Sequence, residues 1–306
     1  MYDVAVVGNG LAGALSTSFL SNRGCKVAWY QMPATQNSFS SNLSHHIVLN
    51  YGSLRRLKNI GIRPEDLDGH LLKRYCLLDR NRQLYSISHS DLSLDYLGIQ
   101  VSISKLAKLL LSSIRDDKVQ IYDSTLVQEL KPDIDKVSIV SQNSKVASAK
   151  YLLVADGQRS HFRDLLSHDC PQSLCADQFA MTLHLKYQRP LSFNIEDSLQ
   201  IIQSQYLIGV IPHSEDTLTV VITGDRDELE VLLGQTECQL KSKIESFLPV
   251  HYRCIKELKY ENNLKRLSTY TMSQSYFSSY AFLGLAAKGL HPAGAMGFNH
   301  IIYEAS

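Results

Sequence analysis

The chain has 306 residues, 44% of them hydrophobic and 20% charged, and a formal net charge of +1. That length buries one large core or two interleaved ones, in a composition typical of globular proteins. The charge balance excludes a strong field toward nucleic acid or a membrane surface, and no apolar run approaches transmembrane length.

Residues 2–7 predict a buried parallel strand, because Val4-Ala5-Val6-Val7 is an apolar run rather than an alternating one. Gly8-Asn9-Gly10-Leu11-Ala12-Gly13 follows it and opens a helix over 12–22, with Gly24 as its C-cap. Strand, tight turn and helix N-terminus in that order place backbone N–H groups where a pyrophosphate can sit. Gly8 permits the turn, Gly10 lets a phosphate approach, and Gly13 lets helix and strand pack closely. The bland alternative is an ordinary βα turn. The first strand begins within three residues of Met1, so no signal peptide is expected, and the expected location is cytoplasmic.

Residues 26–30 predict the second strand of a βαβ unit, and 33–44 a loop rich in Ser, Asn, Thr and Pro. Leu54, Leu57 and Ile60 mark a short helix ending near Gly61, with Arg55, Arg56 and Lys58 on one solvated face. Ser104 is the expected N-cap of a helix carrying Leu106, Leu109, Leu110 and Ile114 on one side. Strands are expected at 118–122, 125–130, 136–141 and 151–155, then at 179–187, 199–203, 206–211 and 217–223. Helices are expected at 226–234 and 237–247, and a last buried strand at 280–283. Six cysteines, Cys25, Cys76, Cys170, Cys175, Cys238 and Cys254, contain no C-x-x-C pair, so no metal site is expected. Cys25 and Cys76 sit in apolar stretches and are expected to be buried thiols.

Segments of α/β character alternate with segments richer in strand pattern. The expected fold class is therefore α/β, a Rossmann-like dinucleotide-binding domain interleaved with a β-sheet-rich substrate domain. Residues 1–65, 99–165 and 280–306 form the first domain and residues 66–98 and 166–279 the second, with a ligand crevice between them.

A second motif follows the 151–155 strand: Asp156-Gly157-Gln158-Arg159-Ser160-His161-Phe162-Arg163. The bland reading of Asp156 and Arg163 is a surface salt bridge on a turn. A third, glycine-rich segment runs from Gly284-Leu285-Ala286-Ala287-Lys288 through His291-Pro292-Ala293-Gly294-Ala295-Met296-Gly297-Phe298-Asn299. With these three motifs in this order, the chain resembles the class A FAD-dependent monooxygenases of the para-hydroxybenzoate hydroxylase fold. Within that family it is most similar to the hydroxylases of ubiquinone biosynthesis. The second motif matches D-G-x-x-S-x-x-R, and the third follows G-D-A-A-H-x-x-x-P-x-x-G-x-G-x-N at Gly284, Ala286, Ala287, Pro292, Gly297 and Asn299.

The resemblance implies FAD as cofactor and NAD(P)H as reductant. It makes cofactor contacts of Gly8, Gly10, Leu11, Ala12, Gly13 and Gln31 in the first segment, and of Asp156, Gly157, Ser160 and Arg163 in the second. In the third it does so for Gly284, Leu285, Pro292, Gly294, Ala295, Met296, Gly297 and Asn299. It implies hydroxylation of a small aromatic or polyketide-like substrate with O₂; no catalytic base is legible.

Several positions depart from the pattern. Gln31 stands where the family has an acid for the adenosine ribose, Leu285 where it has the ribityl-binding aspartate, and Lys288 where it has a histidine. The first glycine of P-x-x-G-x-G falls on Ala295, with Gly294 as a substitute if the loop shifts by one. An expected arginine is absent, and His45 or His46 occupies its region. Loss of the carboxylates at 31 and 285 weakens FAD binding by roughly 2–4 kcal/mol, part of which Lys288 recovers if it approaches a phosphate. The family's last helix continues beyond the point where this sequence stops, at Ser306, so that face is expected to be exposed or covered in a homo- or hetero-oligomer. These departures also motivate an alternative, a catalytically degenerate relative that binds flavin weakly and acts as a subunit or hydrophobic-ligand binder.

Three other features have bland readings. His291 is as readily a capping or packed residue as a ligand contact. His45-His46 is a poor metal pair, since neighbours on regular structure point apart. Tyr187 and Tyr206 fall in the expected substrate sheet without an evident catalytic role.

Overall fold

The computed structural model describes residues 1–31, 46–80, 82–142, 146–166, 172–173, 178–188, 197–249, 252–260, 263–267 and 269–306. The 33–44 loop, His45, Cys170 and Cys175 lie outside the described residues.

The strand Tyr2–Val7, which holds the apolar run Val4–Val7, is central, parallel to Val27–Tyr30 on one side and to Val146–Val154 on the other. Alternate residues of this run feed opposite faces. Val6 and Trp29 pack with Leu15 and Phe19 of the helix Leu11–Asn22. Ala5, Val7, Ala28 and Tyr30 pack on the other side with Leu152, Phe162 and Phe282. A strand buried on both faces has no polar positions to alternate, which explains the unbroken apolar run. Val119–Tyr122 extends the sheet beyond Val27–Tyr30, and Tyr280–Phe282 runs parallel to Val146–Val154. The antiparallel strands Val127–Pro132 and Val137–Ser141 complete seven strands among the described residues.

A second, eight-stranded sheet is built around Gln178–Tyr187, Thr217–Asp225, Tyr206–Pro212, Asp197–Ile202 and Arg74–Asp79. Here the alternation is one-sided. Leu183, Ile201, Ile208, Val220 and Ile222 bury one face against Leu229 and Leu232 of the helix Arg226–Leu233, and against Leu240 and Ile244 of Glu237–Phe247. That second helix starts on a reciprocal capping box: Thr236 Oγ1 accepts from the Gln239 N–H, and the Gln239 side chain accepts from the Thr236 N–H. The opposite face looks toward a small sheet of His46–Asn50, Gly98–Ser102 and His70–Leu72.

Several sequence expectations shift. The helix after Gly98–Ser102 spans Ile103–Ser112, and Ser102, not Ser104, caps it, its Oγ accepting from the Lys105 N–H at 3.2 Å. The strand runs straight into this helix, so the last extended residue takes the cap. The expected 151–155 strand begins earlier, at Val146, because its first half pairs with the hairpin strand Val137–Ser141. Gly24 lies one position beyond the cap Arg23, left-handed at φ 85°. Cys76 is buried, but Cys25 is only half-buried. Arg55 and Lys58 are solvated, whereas the Arg56 guanidinium lies 3.7 Å from the centre of the Tyr303 ring.

Candidate nucleotide and substrate site

All three sequence motifs leave the same edge of the seven-stranded sheet. Val7, Val154 and Phe282 are neighbours in register at the C-terminal ends of three adjacent parallel strands. The chain leaves these strands into Gly8, Asp156 and Gly284, respectively. Successive strands lie to opposite sides of Tyr2–Val7, so this edge is the switch point of the sheet, where open α/β folds bind ligands. Backbone hydrogen bonds lock the turns to one another: the Ala155 N–H donates to Val7 O at 2.8 Å, and the Leu283 N–H to Val154 O at 2.9 Å.

The glycines of the first turn do different work. Gly8 has φ 137°, and a Cβ there would fall 2.2 Å from the Ala155 carbonyl oxygen. A Cβ on Gly13 would fall 2.1 Å from Gly8 O, where helix and strand touch. Gly10, by contrast, has nothing within 4 Å, nor do Gly157 and Gly297. Gly10 caps the helix Leu11–Asn22, and Gly297 is the first residue of the helix Gly297–Ala305. The first helix therefore opens on free space beside these strand ends, as a pyrophosphate site requires, while the start of the second is fastened to the strand His46–Asn50. Leu11 and Ala12 form the first helical turn, and Gln31 closes the second strand at this edge, its N–H donating to Tyr122 O at 3.0 Å.

The second motif is a buried carboxylate on a structured turn. Oδ2 of Asp156 accepts from the Phe162 N–H at 3.4 Å, while Oδ1 is buried with no hydrogen-bond partner among the described residues. An unsatisfied buried acceptor is costly unless a bound hydroxyl or N–H reaches it. Burial raises the Asp156 pKa above the ordinary carboxylate value, against the hydrogen bonds from Ser160 and the backbone. Arg163 does not pair with Asp156. It donates to Ala286 O at 3.2 Å and Gln158 O at 3.1 Å, which ties the second motif to the third. Ser160 caps the short helix that carries Arg163, its Oγ accepting from the Arg163 N–H at 3.0 Å.

The sign of the Asp156 shift gives a test. A carboxyl whose pKa is higher in the folded chain holds its proton longer there, so its contribution to stability falls as pH rises above the unfolded value of about 3.9. Asp156→Asn removes that burden. In cofactor-free protein the variant is expected to gain thermal stability relative to wild type as pH rises from about 4 to 7. A constant difference across that range would contradict it.

In the third segment the structure settles which residue makes the turn. Ala295 adopts φ 49° and ψ 27°, the left-handed conformation, while Gly294 is not at positive φ. The loop has not shifted by one; an alanine holds the glycine position, at a cost of roughly 1–2 kcal/mol. Asn299 is buried and wholly engaged. Its Oδ1 accepts from the Asn50 N–H at 2.9 Å, and its Nδ2 donates to Val48 O at 2.7 Å and Ala295 O at 2.9 Å. It fastens the helix start to the strand His46–Asn50 and braces the Ala295 turn. Met296 is 42% exposed and Leu285 45%, and the Leu285 carbonyl accepts from the Tyr270 hydroxyl. Lys288 faces Glu304 at 3.7 Å, an acid that also accepts from the Gly284 N–H at 3.2 Å. The ammonium expected to approach a phosphate is thus directed at this carboxylate. His291 takes its bland role: Nδ1 accepts from the Ala293 N–H at 3.2 Å, and Nε2 lies 3.0 Å from Gln178 Oε1.

Pro292, Ala293, Gly294 and Ala295 have a second neighbour. They form one wall of a cavity of about 150 Å³ whose other walls come from the eight-stranded sheet and the small sheet around Gly98–Ser102. Leu207, Gly209, Ile211, Val221 and Thr223 line it from the eight-stranded sheet, and Val48, Leu72 and Gly98 from the small one. Tyr187 and Tyr206 point the other way, into the core beneath the helices. The other polar residues that line the cavity, Arg74, Tyr75, Ser198 and Gln200, were not evident from the sequence. The signal was there: Gln200 interrupts the apolar run Leu199–Ile202 at the alternate position.

One row further along the same strands is a histidine cluster. His46 packs its ring 4.0 Å from that of His213, and His184 lies beyond at 6.4 Å. His213 bonds Gln100 through Nδ1 and Thr219 through Nε2. Burial and the neighbouring His46, His184 and His70 push its pKa down to about 3, so the ring is neutral. Among the described residues no group of three or more His, Cys, Asp or Glu side chains is arranged to hold a metal ion.

The chain is similar to known flavoproteins along its length. It is 23% identical over 318 residues to the ubiquinone hydroxylase UbiM of Neisseria meningitidis, covering 97% of this chain and 65% of that protein. The chain thus spans just under two thirds of the curated relative it matches. PqsL of P. aeruginosa, solved in complex with 2-aminobenzoylacetate, superposes with a TM-score of 0.79 at 18% identity, over 99% of this chain and 84% of that one. A variant of Klebsiella pneumoniae HpxO, solved with FAD, superposes at 0.71 with 17% identity, over 100% and 79%. At these identities the likeness is one of fold. With the FAD binding domain model matching residues 1–306, on a sheet edge that gathers all three motifs, the chain belongs to the FAD binding domain family.

Proposed function

We propose that this chain carries the flavin-binding and substrate-binding parts of a monooxygenase that hydroxylates an aromatic or similarly flat ring, using NAD(P)H and O₂. One observation supports this reading above the others. The segment Pro292–Ala295 belongs at once to the third nucleotide motif and to the wall of the apolar cavity, so cofactor site and substrate site share a boundary. FAD, when bound and reduced by NAD(P)H, supplies the oxygen-activating chemistry. The chain's own part is binding, orientation and water exclusion.

In this reading the helix N-terminus at Gly10 receives the pyrophosphate. Gln31 bonds the adenosine ribose, and Asp156 accepts a hydroxyl at its unpartnered Oδ1. Residues 1–65, 99–165 and 280–306 form the nucleotide part and residues 66–98 and 166–279 the substrate part. The cavity's walls, mostly Leu, Ile, Val and Gly, hold the ring away from water.

The direct test is the visible spectrum of the purified protein, followed by FAD titration. Saturable binding is expected, with NAD(P)H oxidation that accelerates when candidate phenols are added. A colourless protein without measurable FAD affinity would remove the reading. Flavin binding with NAD(P)H oxidation that no phenol or related ring stimulates would remove the hydroxylase assignment alone.

A further inference from the structure

The cavity has a polar corner on the strands Arg74–Asp79 and Asp197–Ile202. These strands are parallel, with Tyr75 opposite Ser198 and Leu77 opposite Gln200. Cys76, Leu78, Leu199 and Ile201 turn into the core under the helices. The alternate residues Tyr75, Ser198 and Gln200 therefore face the cavity, as the pleat requires. There the Tyr75 hydroxyl donates a hydrogen bond to Gln200 Oε1. Burial raises the phenol pKa, so Tyr75 keeps its proton and remains the donor. That bond orients the amide, and its Nε2 supplies the N–H donors that can meet a ligand acceptor.

The charge at this corner is removed from play. Arg74, which also lines the cavity, stands opposite Asp197, and its Nε and Nη2 both bond that carboxylate. Asp197 is itself buried. A guanidinium committed to two bonds with one carboxylate carries little net attraction for a second anion.

We propose that Tyr75 and Gln200 decide what the cavity accepts: an uncharged, flat, largely apolar ring bearing one oxygen acceptor, which takes its hydrogen bond from the Gln200 amide. Tyr75 acts as the positioning residue and Gln200 as the donor. The assignment names the substrate class of the hydroxylase reading, and its binding test does not depend on the flavin.

Acetophenone and 2-phenylpropene have nearly the same shape and differ in one atom, a carbonyl oxygen in the first and a methylene in the second. Their affinities are measured by ligand-detected NMR titration of the full chain, with and without FAD. Wild type is expected to bind acetophenone about tenfold or more tighter than 2-phenylpropene. Gln200→Leu is expected to bring the ratio to about one. Tyr75→Phe is expected to cut the ratio to about threefold or less, with 2-phenylpropene affinity unchanged, an effect that a purely packing role for the hydroxyl would not produce. Each substitution nearly conserves volume, and either variant alone carries the test. Equal affinity of wild type for the two probes, an undiminished ratio in Gln200→Leu, or no binding of either probe overturns the assignment. Selective binding in a protein that takes no FAD leaves it standing and removes the hydroxylase reading.

Discussion

Gly8→Ala is expected to destabilise the cofactor-free protein by roughly 2–6 kcal/mol, the largest loss of any single methyl group in the first turn. Two independent terms add. The backbone at φ 137° lies where an L-residue is strained by roughly 1–3 kcal/mol. The new Cβ, 2.2 Å from the Ala155 oxygen, must also push apart two strands joined by the Ala155-to-Val7 hydrogen bond, an overpacking cost of roughly 1–3 kcal/mol. Gly10→Ala is the control. Its φ is −80° and nothing lies within 4 Å, so the loss is confined to the weaker cap, within about 1 kcal/mol. Its methyl group would instead stand in the open space before the helix and reduce FAD affinity. Thermal or urea unfolding without FAD, paired with FAD titration, separates the two. Gly8 variants should lose fold stability and Gly10 variants mainly binding. If Gly8→Ala unfolds with wild type, or if the two variants behave alike, the division of labour within this turn is wrong.

That contrast also separates what the sequence makes legible from what only the fold brings together. The strand–glycine–helix order was legible because each part carries a local signature: Val4–Val7 is apolar at every position, and Gly8 and Gly13 sit where backbone approaches backbone. Most strands of the second sheet were legible for the related reason that one side must be apolar, as Leu218, Val220 and Ile222 are. The substrate corner was harder to find. Tyr75 and Gln200 are 125 positions apart, and what makes them a pair is the parallel register of two strands, a tertiary fact with no local trace. The same holds for His46 and His213, and for Asn299, whose motif position suggested cofactor contact while its hydrogen bonds all go to backbone. Motif positions report where a residue lies; its bonding partners decide what it does there.

Leu285→Asp is expected to tighten FAD binding by about 10- to 100-fold, from a charge-assisted hydrogen bond worth roughly 1.5–3 kcal/mol. The site is ready for it. Leu285 is 45% exposed, so its side chain contributes little to the core, and the substitution should leave cofactor-free stability within about 0.5 kcal/mol. Its backbone is held from two sides, by the Tyr270 hydroxyl on its own carbonyl and by Arg163 on the next one, Ala286, so a new carboxylate would be presented from a fixed turn. Lys288 and Arg163 bring positive charge nearby, offsetting the Glu304 carboxylate that takes the Gly284 N–H. Leu285→Asn supplies the acceptor without the charge and should gain about half as much free energy, since neutral hydrogen bonds are roughly half as strong. The expected order of FAD affinity is therefore Leu below Asn below Asp, read from quenching of flavin fluorescence. A flat series would place the ribityl chain away from this turn. A gain for Asp but none for Asn would make the effect electrostatic at a distance rather than a hydrogen bond, because only a direct bond rewards a neutral acceptor.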